Sequence, residues 1–208
     1  QTTRTRIMGV LTRGETQLVF TDTPGYHRPK TKLGEKMIKS VGEGIAGMDA
    51  YLFVVEPEGE IRETEIELLN RLKKEKAPVV LAINKIDTVK QKELLMEKIL
   101  KFTSEFDFEA VVPVSALKEE NIDLLLGELE KLAYESVHFF PDDTLTDQPE
   151  RVIVSEIVRE KMLRLLDKEI PHGTAVEITR FSERDSGVID IDATIYCEKA
   201  SHKGIIIG

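Results

Sequence analysis

Two short motifs have the residue types and positions to do chemistry, and each stands directly after an apolar run. Asn84-Lys85-Ile86-Asp87 follows the run 78–83. A carboxylate at Asp87 can accept two hydrogen bonds at once, which matches the ring N–H and exocyclic amine on one edge of guanine. Adenine lacks that pair of donors and is rejected, because a buried acceptor left unpaired is costly. Asn84 and Lys85 would brace the loop and cover the base. Asp22-Thr23-Pro24-Gly25 follows the run 17–20. Asp22 would hold Mg²⁺ through water, since that ion keeps much of its hydration shell. The Gly25 N–H can approach a γ-phosphate oxygen because no Cβ stands in the way. Hydrolysis would remove that contact and release the loop that follows.

Two weaker signals fall into line with these. Ser115-Ala116 follows a third apolar run, 110–114, and a backbone N–H there would meet the guanine carbonyl oxygen. Gln1-Thr2-Thr3-Arg4 precedes the first strand, and a threonine hydroxyl there would complete the Mg²⁺ shell once a γ-phosphate is present. Thr3 is taken as that ligand and Thr2 remains an alternative.

These loops need a frame. Residues 6–11 and 17–20 read as a hairpin turning through Thr12-Arg13-Gly14-Glu15. Thereafter the unbroken apolar runs 50–55, 78–83 and 110–114 alternate with helical spacings. Ile66, Leu69 and Leu72 mark one helix, Leu95, Ile99, Phe102 and Phe106 a second, and Ile122, Leu125, Leu126, Leu129 and Leu132 a third. Fully apolar strands alternating with amphipathic helices define an α/β fold with a mostly parallel sheet covered on both faces. Ligands of such sheets lie beyond the carboxyl ends of the strands. That places the loops after Phe20, Ile83 and Val114 in one neighbourhood.

The pattern changes at His138. Residues 138–150 hold two prolines and three aspartates and read as a linker. A helix over 155–167 follows, with Ile157, Val158, Met162 and Leu165 as its apolar face. Strands are expected at 175–181 and 188–198. In the latter, Ile189, Ile191, Ala193, Ile195 and Cys197 alternate with polar residues, giving one buried and one wet face. A second, α+β domain is thus expected over 151–208, after a first domain over 1–137.

Composition narrows the function. The net charge of −9 argues against a DNA binder held by its overall field. Residues 151–208 carry nine basic and ten acidic side chains, so charge gives no separate sign of RNA binding there. Cys197 is the single cysteine, which excludes a disulfide framework and points to a reducing compartment. No apolar run approaches a membrane span. The four histidines lack ligand spacing, so no metal is assigned to them. Gly42-Glu43-Gly44-Ile45-Ala46-Gly47 fits a dinucleotide pattern, but that pattern must follow a strand and open a helix, and here the order is reversed. No G-x-x-x-x-G-K-[ST] phosphate loop occurs. The chain, which starts without Met and ends inside Ile205-Ile206-Ile207-Gly208, therefore reads as a fragment cut at both ends. A gap or exposed edge in the sheet is expected beside residues 17–20.

Thr3, Asp22-Thr23-Pro24-Gly25, Asn84-Lys85-Ile86-Asp87 and Ser115-Ala116 form, in order, the motif set of translation-factor-like GTPases. Gln1-Thr2-Thr3-Arg4-Thr5-Arg6, His138-Phe139-Phe140-Pro141, Ser155-Glu156-Ile157-Val158-Arg159-Glu160-Lys161 and Ile170-Pro171 before Thr174-Ala175-Val176-Glu177-Ile178 carry the likeness further. Nearly the whole chain resembles the Era family of bacterial ribosome-assembly GTPases. The resemblance implies a GTPase domain, here without its first strand and phosphate loop, followed by a partial type II KH domain. It implies a GTP-hydrolysing switch that uses Mg²⁺, binds small-subunit ribosomal RNA and acts in small-subunit assembly. By this resemblance Thr3 and Gly25 serve catalysis and Thr3 and Asp22 the metal, while Tyr26 also borders the nucleotide. Ile206, Ile207 and Gly208 lead into the RNA-gripping GXXG loop.

Tyr26 stands where Ras-like proteins carry a water-orienting glutamine, which suggests a backbone or K⁺-assisted route instead. A cytoplasmic, monomeric protein is implied, with peripheral association at the inner membrane face left open. The alternative is a non-hydrolysing RNA-binding scaffold with a degenerate GTPase domain. Other GTPases of the class, tRNA-modifying or tandem-domain, are disfavoured by the KH-like tail.

Overall fold

The computed structural model describes residues 7–22, 47–166 and 173–207. The chain divides into two compact units, Gln1–Asp147 and Gln148–Gly208.

In the first unit, β1 (Ile7–Arg13) and β2 (Thr16–Asp22) form the expected hairpin. Gly14 at φ +59° supplies the left-handed turn residue that links two strands this closely. The strands are longer than the apolar stretches suggest, because cross-strand pairing carries through the polar pairs Thr12–Gln17 and Arg13–Thr16. Three further strands, β3 (Tyr51–Val55), β4 (Val79–Asn84) and β5 (Ala110–Val114), make a parallel sheet in the order β3-β4-β5. Helices α1 (Glu63–Leu72), α2 (Lys92–Glu105) and α3 (Ile122–Glu130) connect or follow them.

The central strand explains the apolar run 78–83. Every residue from Val79 to Ile83 is buried, so both faces of β4 must be apolar. Val79, Leu81 and Ile83 pack with Leu69 and Leu72 of α1 and Phe102 of α2, whose ring meets Phe53 edge to face at 6.1 Å. Val80 and Ala82 face the other way, onto Leu125 and Leu129 of α3, with Leu18 and Phe20 of the hairpin packed against that cluster. Among the described residues no backbone ladder joins β2 to β3. The interruption lies where the sequence places it, beside residues 17–20, and the two sheets share a core through side chains alone.

Residues 138–147, linker-like in composition, are laced to the hairpin. Val10 N donates to Leu145 O at 2.8 Å, and Thr146 Oγ1 donates to Met8 O at 2.6 Å. Gln17 acts as a surrogate peptide: its Nε2 donates to Phe140 O at 2.9 Å and its Oε1 accepts from Phe140 N at 3.0 Å. His138 closes the strap, with Nε2 3.0 Å from Glu15 O and Nδ1 2.6 Å from Asp142 Oδ1. This coil covers β1, which would otherwise present an open strand edge.

In the second unit, α4 (Glu150–Leu165) packs on β6 (Thr174–Glu183), which pairs antiparallel with β7 (Ile189–Cys197); α5 (Ala200–Ile207) follows. Helix α4 begins five residues before the expected start, because Pro149 is extended and its carbonyl accepts from Val152 N and Ile153 N. Its apolar face also differs. Met162 is buried and Val158 half-buried, but Ile157 lies about 100° around the helix from Val158 and is exposed, as is Leu165 in the last turn. The alternation in β7 is present without the burial it suggests: Ile189, Ile191 and Ile195 remain 39–43% exposed, since α4 covers β6. Residues 42–46 of the Gly42-Glu43-Gly44-Ile45-Ala46-Gly47 pattern lie outside the described residues.

Two measurements check this account. Phe102→Ala removes a fully buried ring from between two helices and the sheet, and should cost about 3–5 kcal/mol in urea denaturation. The hydrogen bond to Asp142, followed by that to Glu15 O, raises the His138 pKa above its ordinary value. A group raised on folding contributes fully below its unfolded pKa and loses that contribution as pH rises through the folded value. The thermal midpoint should therefore fall as pH is raised from about 6.5, and His138→Ala should flatten that slope.

Candidate guanine-nucleotide site

Strand register builds the site. Asn84 pairs with Val114, so β4 and β5 end level and the loops that leave them are neighbours. The last residue of β4 stitches them together: Asn84 Oδ1 accepts from Lys85 N at 2.7 Å and from Ala116 N at 3.0 Å. Lys85 adopts a left-handed conformation, φ 71°, which reverses the chain into a short 3₁₀ turn over Ile86–Thr88. Thr88 secures that turn by donating from both N and Oγ1 to Lys85 O.

The turn presents Asp87. Ser115, fully buried at the end of β5, donates from Oγ to Asp87 Oδ1 at 2.6 Å. Ser115 is itself held by two backbone bonds with Glu120, at 3.1 and 3.0 Å, and its Oγ accepts from Lys118 N at 3.2 Å. Left-handed residues at Glu119 and Asn121 close this loop, and Asn121 Nδ2 donates to Pro113 O at 2.9 Å. Asp87 is otherwise exposed. One lone pair of one oxygen serves Ser115, and the rest of the carboxylate is available to two donors presented together.

The structure thus brings together Asn84, Lys85, Ile86, Asp87, Ser115 and Ala116. One detail departs from expectation. The Ser115 N–H goes to Glu120 O and the Ala116 N–H to Asn84 Oδ1, so a base carbonyl would have to draw Ala116 away from Asn84. Asp22 ends β2 and pairs in register with Ile7, the first residue of β1. The segments leading to Thr3 and onward to Gly25 therefore leave the same end of the hairpin. Their donors, a carboxylate and a hydroxyl, are hard oxygens suited to Mg²⁺. Thr3, Thr23, Pro24, Gly25, Tyr26 and Gly208 lie outside the described residues, while Ile206 and Ile207 sit in the last turn of α5. Among the described residues no cluster of three or more His, Cys, Asp or Glu could hold a metal ion.

Sequence reasoning missed Glu56, whose carboxylate pairs with Lys85 Nζ. The signal was available: Glu56 directly follows the apolar run 50–55, and the carboxyl ends of all parallel strands are candidate positions.

A parallel α/β sheet carrying a positioned Asn-Lys-x-Asp loop beside a Ser-Ala loop defines the guanine-nucleotide-binding class of GTPases. Residues 3–172 match the family described as Elongation factor Tu GTP binding domain, and residues 169–208 match the KH domain family. Over its full length the chain is 50% identical to GTPase Era of Ruminiclostridium cellulolyticum and 46% identical to GTPase Era of Clostridium kluyveri, covering 70% and 71% of those proteins. Its fold is similar to that of Era in complex with MgGDPNP and nucleotides 1506–1542 of 16S ribosomal RNA, with a TM-score of 0.90, 32% identity, and coverage of 100% of this chain and 71% of that one. A tyrosine-to-alanine variant of Aquifex aeolicus Era bound to GDP·AlF4⁻ gives a TM-score of 0.89 at 32% identity, with 99% and 71% coverage. The chain belongs to the Era family of GTPases.

Ser115→Ala should lose the hydrogen bond that fixes Asp87. Bonds to charged groups contribute about 1.5–3 kcal/mol, so urea denaturation should show a loss in that range, and Ser115→Thr should restore most of it.

Proposed function

We propose that the protein is a GTP-binding and GTP-hydrolysing switch that binds small-subunit ribosomal RNA and acts in assembly of the small ribosomal subunit. The observation that carries the nucleotide half is the Asp87 carboxylate, anchored by Ser115 on one oxygen and open on the other side. In this reading Asp87 accepts the two nitrogen-borne hydrogens of guanine, Asn84 locks the two loops against each other, and Lys85 covers the base. Ile86, Ser115 and Ala116 complete that wall. Thr3 and Asp22 would hold Mg²⁺, which when bound would supply positive charge to neutralise the phosphates. Gly25 senses the γ-phosphate, with Thr23, Pro24 and Tyr26 beside it. Water is oriented by backbone groups or with the help of K⁺, since Tyr26 replaces the glutamine used elsewhere.

The RNA half is supported by the KH match at residues 169–208 and by the relative whose structure holds 16S ribosomal RNA. The corresponding division is a nucleotide domain over 1–137, a connecting segment over 138–150 and an RNA-binding domain over 151–208, with Ile206, Ile207 and Gly208 entering the RNA-gripping loop. The protein would work as a cytoplasmic monomer. No described helix is long and apolar enough to cross a membrane; peripheral contact with the inner membrane face is part of the same reading.

Asp87→Asn replaces one acceptor oxygen by a donor and should shift preference from guanine toward xanthine nucleotides. Competition between GTP and XTP, run on the full-length gene product, measures this directly. Equal competition by the two at the wild-type site would contradict the assignment.

A further inference from the structure

Glu56 is the first residue after β3, as Lys85 is the first after β4. The parallel register pairs Val55 with Ile83, so Glu56 stands level with Asn84 and its side chain reaches Lys85. The carboxylate hydrogen-bonds the Lys85 ammonium. That hydrogen bond first, and the Lys85 charge second, hold the Glu56 pKa below the usual carboxylate range, against a small opposing effect of burial. Both side chains are about half exposed.

Exposed ion pairs are usually weak because two long side chains must be ordered to form them. Here one partner is fixed from behind. The turn after Glu56 passes through Gly59 at φ +80°, and Gly59 O accepts from Lys98 Nζ at 2.9 Å. Lys98 is only 4% exposed and its ammonium lies 5.4 Å from the Phe102 ring centroid. Burial lowers its pKa. An ammonium taken from water in this way is costly unless it is bonded, and what it bonds is the Glu56 turn. Lys101 Nζ adds a second fastening, 3.0 Å from Glu60 and 2.9 Å from Glu97, while Ile61 packs on the α1–α2 core. Glu56 is therefore presented by a turn held to α2, which limits the backbone freedom lost when the pair forms.

We propose that Glu56 is a positioning residue for nucleotide binding: its carboxylate holds the Lys85 ammonium, and with it the left-handed base loop, in place before a guanosine nucleotide arrives. The inference rests on the reading of residues 84–87 as the guanine site. Glu56 uses one of the three N–H donors of Lys85 and leaves two for oxygens of the ligand. Its effect lies on the base side of the nucleotide, so GDP and GTP should be affected alike.

The test is a titration of the full-length gene product with N-methylanthraniloyl-GDP and N-methylanthraniloyl-GTP. Glu56→Gln should weaken both by about two- to fivefold, the range an ion pair of this exposure supports, with a single cooperative unfolding transition retained. Glu56→Asp, which keeps the charge on a shorter arm, should recover part of the loss. In a Lys85→Met background, Glu56→Gln should cost nothing further. The inference is overturned by wild-type affinity in Glu56→Gln, by the same fold loss in the presence and absence of Lys85, or by equal loss in Glu56→Gln and Glu56→Asp. The last comparison decides the matter where Lys85→Met binds too weakly to titrate. Base selection is scored separately, as the GDP-to-XDP preference of Asp87→Asn. Failure of the Glu56 coupling with intact base selection overturns this inference alone, and failure of base selection overturns the reading beneath it.

Discussion

Strand β4 is closed to water on both faces, and the chemistry of the first unit follows from that. A strand buried above by α1 and α2 and below by α3 and the hairpin can meet solvent only at its ends. The polar residues that continue it, Asn84 to Asp87, therefore emerge together at one point, beyond the carboxyl end. The level register with β5 brings Ser115 and Ala116 to the same point. Because the strands are anchored through core side chains, the loops need few bonds of their own to be rigid. Two suffice to tie one to the other: Asn84 to Ala116 and Ser115 to Asp87.

The division of labour around that point was largely visible in the residue order. Apolar runs at 50–55, 78–83 and 110–114 reported burial on both faces, and each became a strand of the parallel sheet. Asn84, Asp87 and Ser115 were legible because their types are unusual at the end of such a run. Glu56 had a legible position, at the carboxyl end of a parallel strand, but its role was hidden because its partner lies 29 residues away. Lys98 was hidden for a related reason. A lysine within a helical pattern reads as solvent-facing, and the Gly59 carbonyl and Phe102 ring that make its burial tolerable appear only in the fold.

The second unit shows the opposite failure. Periodicity in β7 was read correctly as alternation, yet alternation reports which side chains share a face and says nothing of whether that face is covered. Ile189, Ile191 and Ile195 share a face and stay partly exposed. Likewise the prolines and aspartates of residues 138–150 matched a linker, but most of the bonds that order residues 138–147 come from outside the segment. Gln17 and the β1 backbone supply pairing that no local pattern within residues 138–147 could reveal.

That lacing sets a length. A chain joining two bodies is commonly measured from the last helix of one to the first of the next, which here would run from Glu130 to Glu150. With residues 138–147 fastened along the hairpin, the tether instead starts near Asp147, only a few residues from α4. Unfastening those ten residues would move the anchor back to the neighbourhood of α3. As a flexible coil they would extend the reach of whatever follows by about 17 Å.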